Sequence, residues 1–582
     1  MKIEQPTSVL GDKALEPYQP RTFVPAHADL QDVDTVVGLY RQLHERTIES
    51  AEDLEKWIFD RSELGSAIGQ TRAILYINMT CQTDDNARAE AYKRFVETVG
   101  PKLQTWSDKL DRKFLDAWDS FPLHADRYEV YLRDIRTEVE LFREENVELS
   151  TQVSLLSQEY QTLTGAMTVE FEGKEQTLPQ MSRYLYQTDR ELRQRAWQAV
   201  ADRRLQEKDK LEELFDKMLD LRCRIADNAG CADFIDYQFR NYHRFDYTPG
   251  DCEAYHDAVD QTVVPLLKQI FQDRKQTMGL GTLRPWDTAV DPKGRDPLKP
   301  FDTVDELISG AKTIFQTIHP DLGAQFSRMA ELGLLDLDSR KGKAPGGYQS
   351  TLSEARRPFI FANSVGVDGD VRTLLHEGGH AFHALAAAGE PLLSYRHAPM
   401  EFCEVASMSM ELLGNDHLEV FYDHPQAVRS RREHLQGVVH ILAWVATIDA
   451  FQMWIYRHPG HSPQQRKDAW LEISDRFSSG VVNYTGLEEA KSFAWHRQLH
   501  IFQVPFYYIE YGIAQLGALQ LWVRARQDPR EALNDYRRAL SLGGSKPLPD
   551  LFEAAGLKFD FSAETIGPLM HAVQQELQRL GD

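Results

Sequence analysis

The sequence predicts a mainly α-helical fold with one small β-sheet. Apolar residues recur at helical spacing through long stretches, as at Leu39 and Leu43, Leu54 and Ile58, and Phe95, Val99 and Leu103. Charged residues fill the intervals, so these helices have a buried and a solvated side. Strand-like text is confined to brief runs near 167–174, 346–352 and 358–363.

In chain order, residues 1–30 are rich in proline and are expected to run extended over the surface. From Asp34 to about Ser157 the text is helical, and no strict heptad is sustained, which argues against a coiled coil. Met167 to Lys174 alternates and turns at Gly173, a small hairpin. Long charged helices follow from Met181 to Ala229, with Gly230 placed to cap the last. Residues 278–302 are punctuated by Gly and Pro and read as a linker or a surface loop. Two strands, Gly346–Leu352 and Pro358–Asn363, precede a helix around residue 376, and a strand edge there would suit backbone pairing with an extended peptide. Val438 to Ile455 is the most apolar run, but His440 and Asp449 interrupt it, so a buried helix is expected rather than a membrane span. Pro505 is placed for the first turn of a helix carrying Tyr507, Tyr508 and Tyr511. Residues 539–545 read as a loop before closing helices.

Whole-chain properties set limits. The 582 residues, 42% hydrophobic and 27% charged, suit a globular protein with a large core. A net charge of −23 argues against a general nucleic-acid surface and against anionic membranes. Cys81, Cys223, Cys231, Cys252 and Cys403 are scattered, with no CxxC, so a reducing, cytoplasmic location is expected. The opening residues Met1 to Pro6 lack the apolar core of a signal peptide. Nothing in the sequence bears on oligomeric state.

The chemistry centres on Leu374 to His383. His376 and His380 are four apart, so a helix stacks both imidazoles on one face, within reach of one metal ion. Glu377 leaves the helix about 100° away, better placed for a metal-bound water than for the metal. This HExxH pattern would arise by chance in about one such sequence in twenty, so its context decides. Val371, Leu374, Leu375, Phe382 and Leu385 make the helix a buried one, where two imidazoles and a carboxylate are costly unless they bind something. Gly378 and Gly379 each cost about 1 kcal/mol in a helix interior, which makes sense if another backbone must come close.

A catalytic zinc needs a third protein ligand and an open position. A further histidine at 386 is excluded by Ala386. A later helix offers Glu401, Glu404 and Glu411, all close to one face. Met408, four residues after Glu404, rules out the pattern with an Asp at that place.

Residues 371–411 resemble the thimet-oligopeptidase family of zinc metallopeptidases, with its HExGH helix and a Glu about 25 residues downstream. Glu-Val-Ala-Ser at 404–407 resembles the oligoendopeptidase F and Pz-peptidase branch, although position 378 is larger in more distant branches. The resemblance covers roughly 120–582 and is weakest over 1–110. It implies two helical lobes, 1–200 and a catalytic domain 201–582, around a deep substrate channel, with one Zn2+ per chain on its floor and a small sheet beside the zinc helix. It implies His376, His380 and Glu404 as ligands and Glu377 as the general base. Glu401, Glu411 or His383 would orient the imidazoles.

Residues 495–512 resemble the family's segment of one His followed by tyrosines. An amide-cleaving site needs donors for the oxyanion besides the metal, so His500 and one of Tyr507, Tyr508 and Tyr511 are expected there. Phe502 and Phe506 read as packing. The expected activity is cleavage of internal bonds in short oligopeptides. Two alternatives are an exopeptidase on the same scaffold and a non-catalytic peptide-binding protein, against which an intact Glu377 speaks.

Overall fold

The structure is a computed structural model that describes residues 8–581. The opening residues Met1 to Pro6 lie outside them. The chain is 69% helical, and among the described residues five strands form two small sheets. None of the five cysteines forms a disulfide.

Contacts divide the chain into two compact units, each assembled from three segments. The first contains Met1–Glu140, Leu298–Arg431 and Gly517–Phe559, and the second Leu141–Pro297, Arg432–Leu516 and Asp560–Asp582. These units cross the division expected at residue 200. The Gly- and Pro-rich stretch 278–302 contains one of the crossings, between 297 and 298.

In the first unit, residues 8–32 run mostly without regular structure, apart from a single turn of helix at Asp12–Leu15. The segment is pinned by its backbone. The Glu63 carboxylate accepts the N–H groups of Thr22, Phe23 and Val24 at 2.8–2.9 Å. Helix Ala51–Cys81 starts where the Ser50 hydroxyl accepts the Asp53 N–H at 3.1 Å. It packs against a three-stranded sheet of β3 (Leu335–Asp338), β4 (Tyr348–Leu352) and β5 (Arg357–Ser364).

The sheet order is β3–β5–β4, with β3 parallel and β4 antiparallel to β5. The run 358–363 is therefore the central strand, not an edge. The physical reason is legible in hindsight: Pro358 to Ala362 are all buried, and a continuous apolar run marks a strand covered on both faces. The outer strand beside the motif helix is β4.

In the second unit, β1 (Thr168–Phe171) and β2 (Lys174–Thr177) form the expected hairpin, its turn carried by positive φ at Glu172 and Gly173. Helices Arg190–Leu205 and Lys208–Ala229 follow, and Gly230 at φ 78° caps the second. Helix Pro249–Thr277 packs along the closing helix Ala563–Leu580. Helix His424–Arg457 is long and apolar enough to cross a membrane by length and composition, but 72% of its apolar window is buried, as in a core helix.

Candidate active site

The motif helix, Asp368–Ala386, begins where the Asp370 carboxylate accepts three successive N–H groups, those of Val365, Gly366 and Val367, at 2.8–2.9 Å. Its rings of His376 and His380 meet edge to face with centroids 4.9 Å apart. The following helix, Met400–Asn415, is buried along nearly its whole length and lies against the motif helix.

The two glycines explain how closely these elements approach. A Cβ on Gly379 would sit 2.5 Å from the Ala406 carbonyl oxygen and 2.6 Å from the Ser407 Cα, so only hydrogen fits. A Cβ on Gly378 would meet the Phe315 ring at 2.6 Å. The expected backbone contact is thus found at Gly379, whereas the close neighbour of Gly378 is the Phe315 side chain.

That approach carries Glu404 to the imidazoles. Its Oε2 lies 3.4 Å from His376 Nε2 and 3.6 Å from His380 Nε2. One donor atom from each of the three residues falls within 4.8 Å of the other two. Two imidazole nitrogens and one carboxylate oxygen match the three-residue donor set of a catalytic zinc. Ser407 donates to Glu404 Oε2 at 2.9 Å, three residues along the same helix.

Behind the site, His376 Nδ1 lies 2.7 Å from Glu411 Oε1. With Nδ1–H donating to the carboxylate, Nε2 is the ring atom turned to Glu404. Of the three residues expected to orient the imidazoles, Glu411 is the one seen against a ligand ring. Glu401 is buried on the same helix. His383 packs its ring against Phe402, and its buried Nε2 has no hydrogen-bond partner among the described residues.

Glu377 is buried at 7% exposure. Burial pushes its carboxyl up to about 7, His376 opposing and Glu404 and Glu411 adding to the rise. It accepts the Gln349 N–H, so it sits against the start of β4. Gly347 stands beside it, where a Cβ would come within 3.9 Å of Glu377 Oε1. Burial pulls His376 down, but the Glu411 hydrogen bond and the surrounding carboxylates outweigh it and hold the ring at about 9. His380 lies well below its ordinary value, first through burial and then through His376.

The second group of expected residues lies in the second unit. His500 sits on the short helix Leu499–Gln503. The next helix begins at Ile509, not at Pro505, so Tyr507 and Tyr508 belong to the turn before it and only Tyr511 is helical. Phe506 takes φ 65°, a left-handed conformation uncommon for a bulky side chain. Its neighbours hold it there: Arg244 donates to its carbonyl at 2.7 Å, and its N–H donates to Gln452 Oε1 at 3.2 Å. Arg244 also pairs with Glu510 at 2.6 Å, both buried, and Arg222 donates to the carbonyls of Ile501 and Phe502.

The turn gathers the rings. His500 lies 4.8 Å from Tyr508 and 6.0 Å from both Tyr507 and Tyr511, centroid to centroid. Burial lowers His500 to about 4, so it is neutral at pH 7. Gln498 Nε2 lies 2.7 Å from His500 Nδ1, and the Trp444 indole N–H donates to Gln498 Oε1 at 3.1 Å.

Several supporting residues escaped the sequence reading. Ser407 had a signal, its i+3 spacing from Glu404. Tyr536, which donates to the Ala406 carbonyl at 2.8 Å, and the Arg222, Arg244 and Gln452 supports of the turn had none.

Residues 183–567 match the family model for peptidase family M3, and residues 23–142 match its N-terminal domain. The chain belongs to peptidase family M3. Oligopeptidase PepF of Bacillus subtilis is 22% identical over 318 residues, 52% of this chain and 46% of that protein. Oligoendopeptidase F, chromosomal, of Lactococcus lactis subsp. cremoris is 23% identical over 341 residues, 54% of this chain and 52% of that protein. The matched stretches thus span about half the length of these curated relatives. Among solved structures, Pz peptidase A with an inhibitor is 27% identical with a TM-score of 0.86, covering 96% of this chain and 99% of that one. Oligoendopeptidase-F from Enterococcus faecium, 16% identical with a TM-score of 0.64 over 94% and 96% of the two chains, shares the fold. The mainly helical fold expected from the sequence is the fold of these neighbours.

Proposed function

We propose that this M3 peptidase is a zinc-dependent oligoendopeptidase that hydrolyses internal bonds of short peptides. The observation that supports it most is the convergence of His376, His380 and Glu404 with the buried Glu377 alongside. One zinc ion, held by those three residues, would supply a Lewis acid and an activated water. Glu377 takes the proton from the attacking water and returns it to the leaving amine. Glu411 fixes the His376 ring through Nδ1, and Ser407 holds the Glu404 carboxylate. His500, neutral and therefore able to donate a single N–H, supports the oxyanion, together with one of Tyr507, Tyr508 and Tyr511. The substrate backbone pairs along β4, the outer strand whose Gln349 already donates to Glu377, and not along 358–363. Five cysteines without a disulfide agree with a cytoplasmic, reducing location.

The test uses internally quenched peptides of graded length, with and without a chelator, and mass spectrometry of the fragments. Chelator-sensitive internal cleavage of peptides of about 5–20 residues is expected, the length an extended chain spans in a channel tens of ångströms long. Stepwise loss of terminal residues would make the protein an exopeptidase. Rapid cutting of a long denatured protein would exclude a closed channel.

A further inference from the structure

His500 is surrounded by groups that fix which of its nitrogens carries the proton. The indole N–H of Trp444 can only donate, so the Gln498 atom facing it at 3.1 Å is the amide oxygen. With the amide turned the other way, two donors would meet head-on. The Gln498 NH2 group therefore faces His500 Nδ1 at 2.7 Å and donates to it. His500 is neutral, because burial lowers it to about 4. A neutral imidazole accepting at Nδ1 carries its hydrogen on Nε2. The Tyr508 hydroxyl lies against both Gln498 and Trp444 and closes the group.

We propose that Trp444 and Gln498 are positioning residues that lock His500 in the Nε2–H tautomer, so that it presents one oriented donor to the reacting carbonyl oxygen. The proposal rests on the reading of His500 as an oxyanion donor. The lock costs nothing at the moment of reaction, because the donor is set before substrate arrives. It also accounts for a polar amide lodged among rings, where a hydrophobic residue would pack as well.

Gln498→Glu inverts the lock without changing its shape. A carboxylate at 498 accepts where the amide donated, so neutral His500 must turn its proton to Nδ1 and lose its donor at Nε2. The protonated ring keeps both donors, and the new carboxylate raises the pH at which it loses its charge. The titratable neighbours of the ring are Tyr507, Tyr508 and Tyr511, and the nearby charged group on its own segment, Arg497, lies over the Trp444 ring. The ratio of variant to wild-type kcat is therefore expected to fall about 100-fold as pH rises through the His500 titration, with KM little changed. Gln498→Met, which removes the lock without inverting it, should give a smaller loss that does not vary with pH.

The second readout needs no activity. The full chain is labelled with 15N-histidine, and the His500 ring signals are identified by their absence in His500→Gln. Wild type should show a protonated Nε2 and an unprotonated Nδ1 at pH 7, and Gln498→Glu should reverse them. A wild-type ring protonated on Nδ1 would overturn the proposal. A reversed tautomer in Gln498→Glu with a pH-independent kcat ratio would instead overturn the role of His500 as an oxyanion donor.

Discussion

The imidazole–carboxylate cluster and the ring cluster are built in opposite ways. The first uses regular backbone: i to i+4 on one helix places His376 and His380, and a helix lying against Gly379 delivers Glu404. Its geometry is periodic, and a single missing Cβ sets the separation. The second uses irregular backbone: a turn with a left-handed Phe506, held by Arg244, Gln452 and Arg222, gathers His500 with three tyrosines. Regular elements position side chains through hydrogen bonds made within the element, whereas an irregular turn must find partners elsewhere for each carbonyl and N–H. The first cluster should thus depend on its own few residues, and the second on distant supports.

Four measurements bear on that contrast. The largest effects are expected in the first cluster. Glu404→Ala should lose bound zinc and with it activity, while Glu377→Gln should keep about one zinc per chain and lower activity by at least about 100-fold, as for loss of a general base. Metal analysis showing zinc lost from Glu377→Gln would reassign that residue as a ligand.

In the ring cluster, His500→Ala should lower kcat by about 100- to 1000-fold at unchanged metal content, the range for one oxyanion donor. One of Tyr507→Phe, Tyr508→Phe and Tyr511→Phe should act likewise. Near-normal kcat in all four variants would leave residues 500–511 with a purely structural part.

A smaller effect is expected behind the imidazole–carboxylate cluster. Glu411→Gln should weaken zinc binding by about 10- to 100-fold, because the amide no longer anchors His376 Nδ1 as a carboxylate does. Glu401→Ala should cost less. Competition with a fluorescent zinc chelator ranks the two, and the reverse order would mean that Glu401 orients the ligands.

The smallest change tests the helix approach itself. Gly379→Ala adds one methyl group, yet its Cβ would lie 2.5 Å from the Ala406 carbonyl oxygen. Overpacking should destabilise the protein by about 1–3 kcal/mol, against a gain of about 1 kcal/mol from helix propensity. Unfolding midpoints in urea, together with zinc content, check this. A more stable variant with full zinc would show that the two helices can part without harm to the site.

The sequence by itself determined the regular part of this protein. Helical periodicity gave the fold class, Gly173 and Gly230 marked a turn and a cap, and HExxH placed two imidazoles and a carboxylate on adjoining faces of one helix. These are consequences of local geometry, which repeats along the chain and can be counted. Spacing left open which of Glu401, Glu404 and Glu411 faces the imidazoles, the family resemblance pointed to Glu404, and the packing of the two helices turns Glu404 to the rings and stands Glu411 behind one of them. Tertiary structure alone decided that β5 is central and β4 outer, because strand order depends on β3, a segment the sequence reading passed over. It also placed Tyr507 and Tyr508 in a turn rather than a helix. Their local preference, with Pro505 suited to a first helical turn, was overridden by Arg244 and Gln452, residues distant in sequence that bind the Phe506 backbone in a conformation no local rule would assign to phenylalanine.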